Sequence, residues 1–364
     1  MDWGVYLLTT QPPGQDEREV IKNMIKYAQA GEEMGFESAW LLEHHFTRFG
    51  LLGSPFVAAS YILGNTSKLK VGTAANVITT EHPVRLLEEA CLLDQMSDGR
   101  FKFGICRGLY DKDFTVFDVE MSKTRSILEH WYEIFKEGFE TGRVKADNEH
   151  VSFPEVEFYP KPYTQNGPQV YMVAESPSST EWAAKRGLPM VISWIITDDE
   201  KRSQMELYRE VALEHGHDPD KIDHSLSYIA GVSHDGDAIR EQCRGYLEWW
   251  YEEYLRATNL FNLEHDSTAG YEFQKGQWKE FVLRGHKKTE RRIDYSYQIN
   301  PVGTPEECVE IIQKGIDATG AKRVICGFES AGKQEEVLAS MSLFKEEVMP
   351  RIRDRAALEL EAAV

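Results

Sequence analysis

Cysteine is scarce and scattered, with five residues in 364, at positions 91, 106, 243, 308 and 326, and no CxxC pair. An odd, dispersed set excludes a disulfide framework and a cysteine-built zinc cluster, and fits a reducing cytoplasm. Long apolar runs are missing as well. No stretch approaches the roughly 18 residues of a membrane span, so no membrane partner is expected. The opening MDWGVYLLTT has an acid at position 2 and no basic stretch ahead of its apolar residues, so it does not read as a secretory signal. Positive charge is short, 41 Lys and Arg against 60 Asp and Glu, a net charge of -19. Phosphate backbones need a basic face, which sets nucleic acid aside as a partner. An anionic cofactor can bind such a chain only where arginine and helix N-termini converge. Finally, no GxGxxG follows the first strand-like run, which argues against an open doubly wound dinucleotide sheet.

What is present alternates. Strand-like runs lie near 3–8, 38–42, 70–75, 101–106, 169–173, 189–193, 224–230 and 322–327, with helical patterns between them, including 17–34, 54–65, 83–96, 121–140, 178–186, 199–214, 236–257, 305–318 and 334–348. Eight strands with intervening helices predict an α/β fold, a (β/α)8 TIM barrel forming one domain over 1–364. Two segments break the repeat. Residues 141–168 read as a small excursion, a hairpin by their pattern. Residues 258–300 are long, polar and rich in Gly and charge, and the stretch 258–291 reads as a mobile loop acting as a lid.

In such a barrel chemistry sits at the C-terminal strand ends. Strand 2 runs into Glu43-His44-His45-Phe46, strand 3 into Ala74-Ala75, strand 4 into Cys106-Arg107, strand 5 into Glu175-Ser176, strand 6 into Ser193-Trp194 and strand 8 into Phe328-Glu329; strand 7 carries Ser225 and Ser227. Adjacent strand residues point to opposite faces, so His44 and His45 do not readily chelate one ion, and no metal is expected. An imidazole there serves as acid, base or hydrogen-bond partner, or as a structural His beneath a loop. Ser178-x-x-Glu181 fits a capping box at a helix start, which is either ordinary capping or an anion site. Arg107 on the neighbouring strand end favours a monophosphate cradle. Cys106 has no His partner at a recognised spacing, so a small packing residue is the plainer role. Trp194 and Trp250 either stack on a ring system or belong to the core.

The segments LLEHHFTRFGLLGSP (41–55), ACLLDQMSDGRFKFGICRGLYDKDF (90–114), VAESPSSTEWAAKRGLPM (173–190) and RRIDYSYQINPVGTPEEC (291–308) resemble the alpha subunits of bacterial luciferases, almost throughout the chain. GYEFQKGQWKEFVLRGHKKTERR matches the long mobile segment that the non-catalytic beta subunits lack. The resemblance implies a flavin monooxygenase. Such an enzyme uses reduced FMN and O2 to oxidise a long-chain aldehyde to the fatty acid, with water, FMN and light as the other products, by way of a flavin C4a-hydroperoxide. A non-luminescent relative or a beta-like stabilising chain is the alternative. It implies a heterodimer with a related beta subunit, a homodimer being the alternative, and a flavin reductase as source of reduced FMN. It assigns His44, His45, Cys106 and Asp113 to catalysis. Ala74, Ala75, Cys106, Arg107, Glu175, Ser176, Ser179, Trp194 and Ser227 fall to the cofactor, and Trp250, Phe46 and Phe328 to the substrate pocket. Relatives of this barrel carry a non-proline cis bond after strand 3, which places one at Ala74-Ala75. The chain departs from the family at Ser179, Asn76 and Trp249, and is one residue longer near 262–267.

Overall fold

A computed structural model describes residues 1–257, 271–272 and 287–353. Eight strands form the barrel: β1 Asp2–Leu7, β2 Ser38–Leu41, β3 Lys70–Thr73, β4 Phe101–Cys106, β5 Val170–Ala174, β6 Met190–Ile192, β7 Ser225–Ile229 and β8 Arg323–Gly327. Every pairing among them is parallel, each strand beside its successor, and β8 closes on β1. Outside lie helices α1 Glu17–Met34, α2 Pro55–Gly64, α3 Pro83–Met96, α4 Thr124–Thr141, α5 Pro177–Ala184, α6 Asp198–Glu214, α7 Gly236–Ala257, α8 Lys287–Ile299, α9 Pro305–Thr319 and α10 Gln334–Leu343. The expected (β/α)8 barrel is therefore the fold.

The strands read as continuous apolar runs because both faces are buried. On β1, Trp3, Val5 and Leu7 pack outward with the helices, whereas Tyr6 belongs to the inner aromatic cluster. Trp40 fills the barrel floor. It is 1% exposed, its indole N–H donates to Ser38 Oγ at 2.9 Å, and Tyr171 meets it edge-on at 5.1 Å. Gly72 on the next strand makes this possible, since a Cβ there would come within 2.5 Å of the Trp40 ring. The lower end of the barrel is thus filled by side chains, and space is left at the upper, C-terminal end.

The helices start where local chemistry says they should. Asp16 caps α1 through Glu19 N at 3.1 Å, and Thr304 and Glu307 form a reciprocal capping box at α9. The 141–168 excursion is an antiparallel hairpin, Arg143–Asp147 against Ser152–Glu157. Two elements differ from expectation. Part of the polar 258–300 stretch is helix α8. Its buried face holds only two aliphatic residues, Ile293 and Ile299, with Ser296 between them bonded to the Tyr251 hydroxyl at 2.8 Å and Tyr297 OH donating to the Arg240 carbonyl at 2.7 Å, so apolar periodicity is too thin to reveal it. A short helix, Asp111–Val116, also went unread. The lid expected at 258–291 falls almost wholly outside the described residues.

Candidate active site

Side chains at the C-terminal strand ends enclose a cavity whose wall includes Tyr6, Glu43, His44, Ala74, Ala75, Cys106, Arg107, Glu175, Ser179, Trp194, Ser227 and Trp250. The peptide between Ala74 and Ala75 is cis, as expected, and Tyr6 OH donates to the Ala74 carbonyl at 3.1 Å. These two alanines and Val77 give one wall a low relief suited to a flat ring.

The histidines diverge. His44 turns inward between the rings of Phe49 (4.7 Å) and Tyr110 (5.6 Å), and its Nδ1 has no hydrogen-bond partner among the described residues. Burial, then the neighbouring His45, lowers its pKa to about 3, so it is a neutral imidazole. His45 faces the other way and bonds Glu43 Oε1 at 2.9 Å. Burial opposes its charge, but the Glu43 hydrogen bond and nearby carboxylates prevail and raise its pKa. Glu43 is held in turn by Val77 N–H at 2.9 Å. Asp113 is buried, and burial raises its pKa to about 6. Cys106 is enclosed, and burial pushes its thiol up to about 12, so it is protonated at neutral pH.

The opposite end of the cavity is cationic. Ser176 caps α5: its Oγ accepts from Ser179 N–H at 3.3 Å and lies 3.0 Å from Ser179 Oγ. The expected capping box at Ser178 is thus corrected, because Pro177, which lacks an N–H to lose, takes the first helical position. Arg107 is buried at this end. Sequence reasoning missed Arg125, from the first turn of α4. Its Nη2 donates to Ser178 Oγ at 2.9 Å, and its buried Nη1 has no partner among the described residues. Burial and then the like charge of Arg107 hold its pKa below the ordinary value. Two guanidinium groups near enough to feel each other, beside a hydroxyl-rich helix N-terminus, fit a monophosphate. Glu175 lines the cavity but bonds Ser193, and burial raises its pKa; a phosphate would meet its main chain rather than its carboxyl.

Trp194 and Trp250 meet edge-on at 4.8 Å, and Tyr254 stacks on Trp250 at 4.9 Å, forming an aromatic wall. The Ser227 hydroxyl is engaged with the Ile192 carbonyl at 2.8 Å. Two residues lie elsewhere than expected. Phe328 is packed outside the barrel between Phe36 (6.2 Å) and Phe344 (5.3 Å), because β8 ends at Gly327 and the chain there turns its ring into the helix layer. Phe46, at positive φ and 50% exposed, sits outside the cavity beside Phe117 (5.9 Å). Among the described residues no group of three His, Cys, Asp or Glu could hold a metal ion. His215 and His217 have the His-x-His spacing, but each ring is bonded to a backbone carbonyl, of Val211 and Lys185.

The profile of the luciferase-like monooxygenase family matches residues 1–323. The alkanal monooxygenase alpha chain of the Kryptophanaron alfredi symbiont is 58% identical over 356 residues, 98% of this chain and 99% of that one. The alpha chain of Photorhabdus luminescens is 56% identical, covering 98% of each. The alkanal monooxygenase beta chain of Vibrio harveyi is 31% identical over 91% of this chain and 93% of its own length. Among solved structures, a monooxygenase of Streptomyces bottropensis has a TM-score of 0.80 at 22% identity, covering 96% and 99%. The oxygenating constituent of the Pseudomonas putida 3,6-diketocamphane monooxygenase, in complex with FMN, has a TM-score of 0.77 at 19% identity, covering 97% and 99%. Both share the fold.

Proposed function

The chain belongs to the luciferase-like monooxygenase family, and on that premise we propose that its barrel mouth holds FMN. The phosphate lies against Arg107, Arg125 and the Ser176–Ser179 turn, and the ring beside Ala74, Ala75 and Cys106. The chain is a single-domain flavin-dependent alkanal monooxygenase of the alpha type. It oxidises a long-chain aldehyde to the fatty acid with reduced FMN and O2, and emits light. The observation that carries this reading is near-complete alignment with alkanal monooxygenase alpha chains, far above the likeness to a beta chain.

Bound reduced flavin supplies the electrons that activate O2. The protein's own part is to bind, orient and keep water out. His44, neutral and with Nδ1 uncommitted, accepts a proton or a hydrogen bond at the cavity wall. Glu43 fixes His45 and favours its charged form beside Asp113. Cys106, held as a thiol, is a small neutral neighbour of the ring rather than a nucleophile. Trp194, Trp250 and Tyr254 receive the alkyl chain and exclude water.

The partner is a related beta-type barrel, with a second copy of this chain as the other pairing, and a flavin reductase supplies reduced FMN. A cytoplasmic setting is part of this reading, supported by five unpaired cysteines. The test is an in vitro assay with reduced FMN and decanal, with and without a co-expressed beta-type chain. Light with the beta chain is expected. Fatty acid without light would make the chain a non-luminescent monooxygenase, and no oxidation in either case would end the reading.

A further inference from the structure

We propose that Tyr271 is a positioning residue that holds the Arg107 guanidinium ready for the phosphate end of the flavin, so that an aromatic face helps the chain prefer phosphorylated over unphosphorylated flavin. This rests on the phosphate placement argued above.

The Arg107 guanidinium carbon lies 3.8 Å from the centroid of the Tyr271 ring, at stacking distance. Tyr271 is 1% exposed, so this contact is shielded from water, where a cation over an aromatic face is strongest. A planar guanidinium held by its face turns its N–H edge rather than its face toward a phosphate, and loses less freedom when it forks onto two oxygens. The phenol is fixed at its far end as well. Its hydroxyl donates to the Gly108 carbonyl at 3.1 Å and shares a hydrogen bond with Thr124 Oγ1 at 2.9 Å. Gly108 directly follows Arg107, and Thr124 directly precedes Arg125. One side chain therefore ties together the two segments that bring cations to the same end of the cavity. Burial keeps the phenol protonated for these bonds. Arg107, whose guanidinium this ring engages, also lines the cavity.

The experiment uses the full chain with Tyr271→Leu, Tyr271→Phe and Arg107→Ala, measuring dissociation constants for oxidised FMN and riboflavin by flavin fluorescence. Protection against thermal unfolding by inorganic phosphate is measured in parallel. Tyr271→Leu is expected to weaken FMN about tenfold, the loss of one desolvated cation–π contact, with riboflavin changed less than about twofold. Tyr271→Phe keeps the ring and is expected to bind FMN within about threefold of the parent, even if its melting point falls through loss of the hydroxyl bonds. Phosphate protection is expected to fall in Tyr271→Leu and to vanish in Arg107→Ala. FMN affinity unchanged in Tyr271→Leu but lost in Arg107→Ala overturns the positioning role while leaving the phosphate site intact. Equal weakening of FMN and riboflavin in Tyr271→Leu also overturns it, since the ring would then shape the cavity as a whole. Unchanged FMN affinity in Arg107→Ala removes the phosphate placement itself, and the inference with it.

Discussion

Two side chains at the mouth of the barrel carry opposite electrostatic costs, and each makes a measurable demand. Arg125 is a half-buried cation with Nη1 lacking a partner among the described residues, beside Arg107. An anion relieves both burial and repulsion. Arg125→Ala is therefore expected to weaken FMN roughly 10- to 100-fold, the worth of a charge-assisted hydrogen bond, and to leave riboflavin unaffected. Fluorescence titration decides, and equal affinity for FMN in parent and variant places the phosphate elsewhere. Asp113 is the converse, a carboxyl whose pKa burial raises from 3.8 to about 6. Below about pH 3 it is protonated folded or unfolded and costs nothing. Above pH 6 it is ionised in both states, and the folded state bears the penalty. Asp113→Asn is therefore expected to stabilise the protein by roughly 2–3 kcal/mol at pH 8, with the gain shrinking below pH 6 and gone by about pH 3. Thermal melts across that range test the sign; a gain that grows on acidification contradicts it. His44, His45, Cys106 and Arg107 were legible because strand ends announce themselves in sequence. Arg125 was not, because it reaches the same spot from the first turn of a helix whose approach depends on the packed barrel. Phe328 misled for a related reason: a strand end sets the residue's height in the barrel but not which side its ring takes.

At the scale of elements, eight strands could be read because each is a short β-rich run bounded by helical patterns, and all eight lie within about two residues of their expected ends. Helix starts were less certain. At α5 four hydroxyl residues, Ser176 and Ser178 to Thr180, offer several caps, and Pro177 decides in favour of Ser176. Strand spacing at the site depends on Gly104 of β4. A Cβ there would stand 1.7 Å from the Thr73 carbonyl oxygen, a backbone atom that cannot rotate away, and the Thr73 hydroxyl also bonds both the N–H and the carbonyl of Gly104. Gly104→Ala must push β3 from β4 directly below the Ala74-Ala75 wall. The expected cost is at the upper end of overpacking, about 3 kcal/mol, or roughly 4 °C in thermal midpoint for a chain of this length, with flavin affinity lost in parallel. An unchanged midpoint and normal FMN binding would show that the two strands are not held as closely as the hydrogen bonds indicate.

For the whole molecule, closing the barrel removes the edges of the main sheet, so association must use the helical ring. One sector of that ring suits it. Helix α2 carries no charged residue, and Val57 (71%), Tyr61 (60%), Leu92 (47%) and Met96 (60%) stand exposed on α2 and α3, which pack on each other. Large apolar side chains clustered on neighbouring helices suit a contact surface, and the partner barrel proposed above would cover it. A beta-type chain folded alike would offer a matching sector, and pairing the two would bury these side chains about a two-fold axis. The double variant Tyr61→Glu, Met96→Glu leaves the barrel interior untouched and puts two carboxylates into the contact. Each unpaired charge there costs roughly 3–5 kcal/mol, enough to weaken pairing by at least about a thousandfold. When mixed with the beta-type chain, the variant is expected to sediment as a monomer. It should still bind FMN, since the cavity lies at the barrel mouth rather than on this flank, and should lose most of its light. A variant that sediments as a dimer and emits normally would move the partner to another face of the ring.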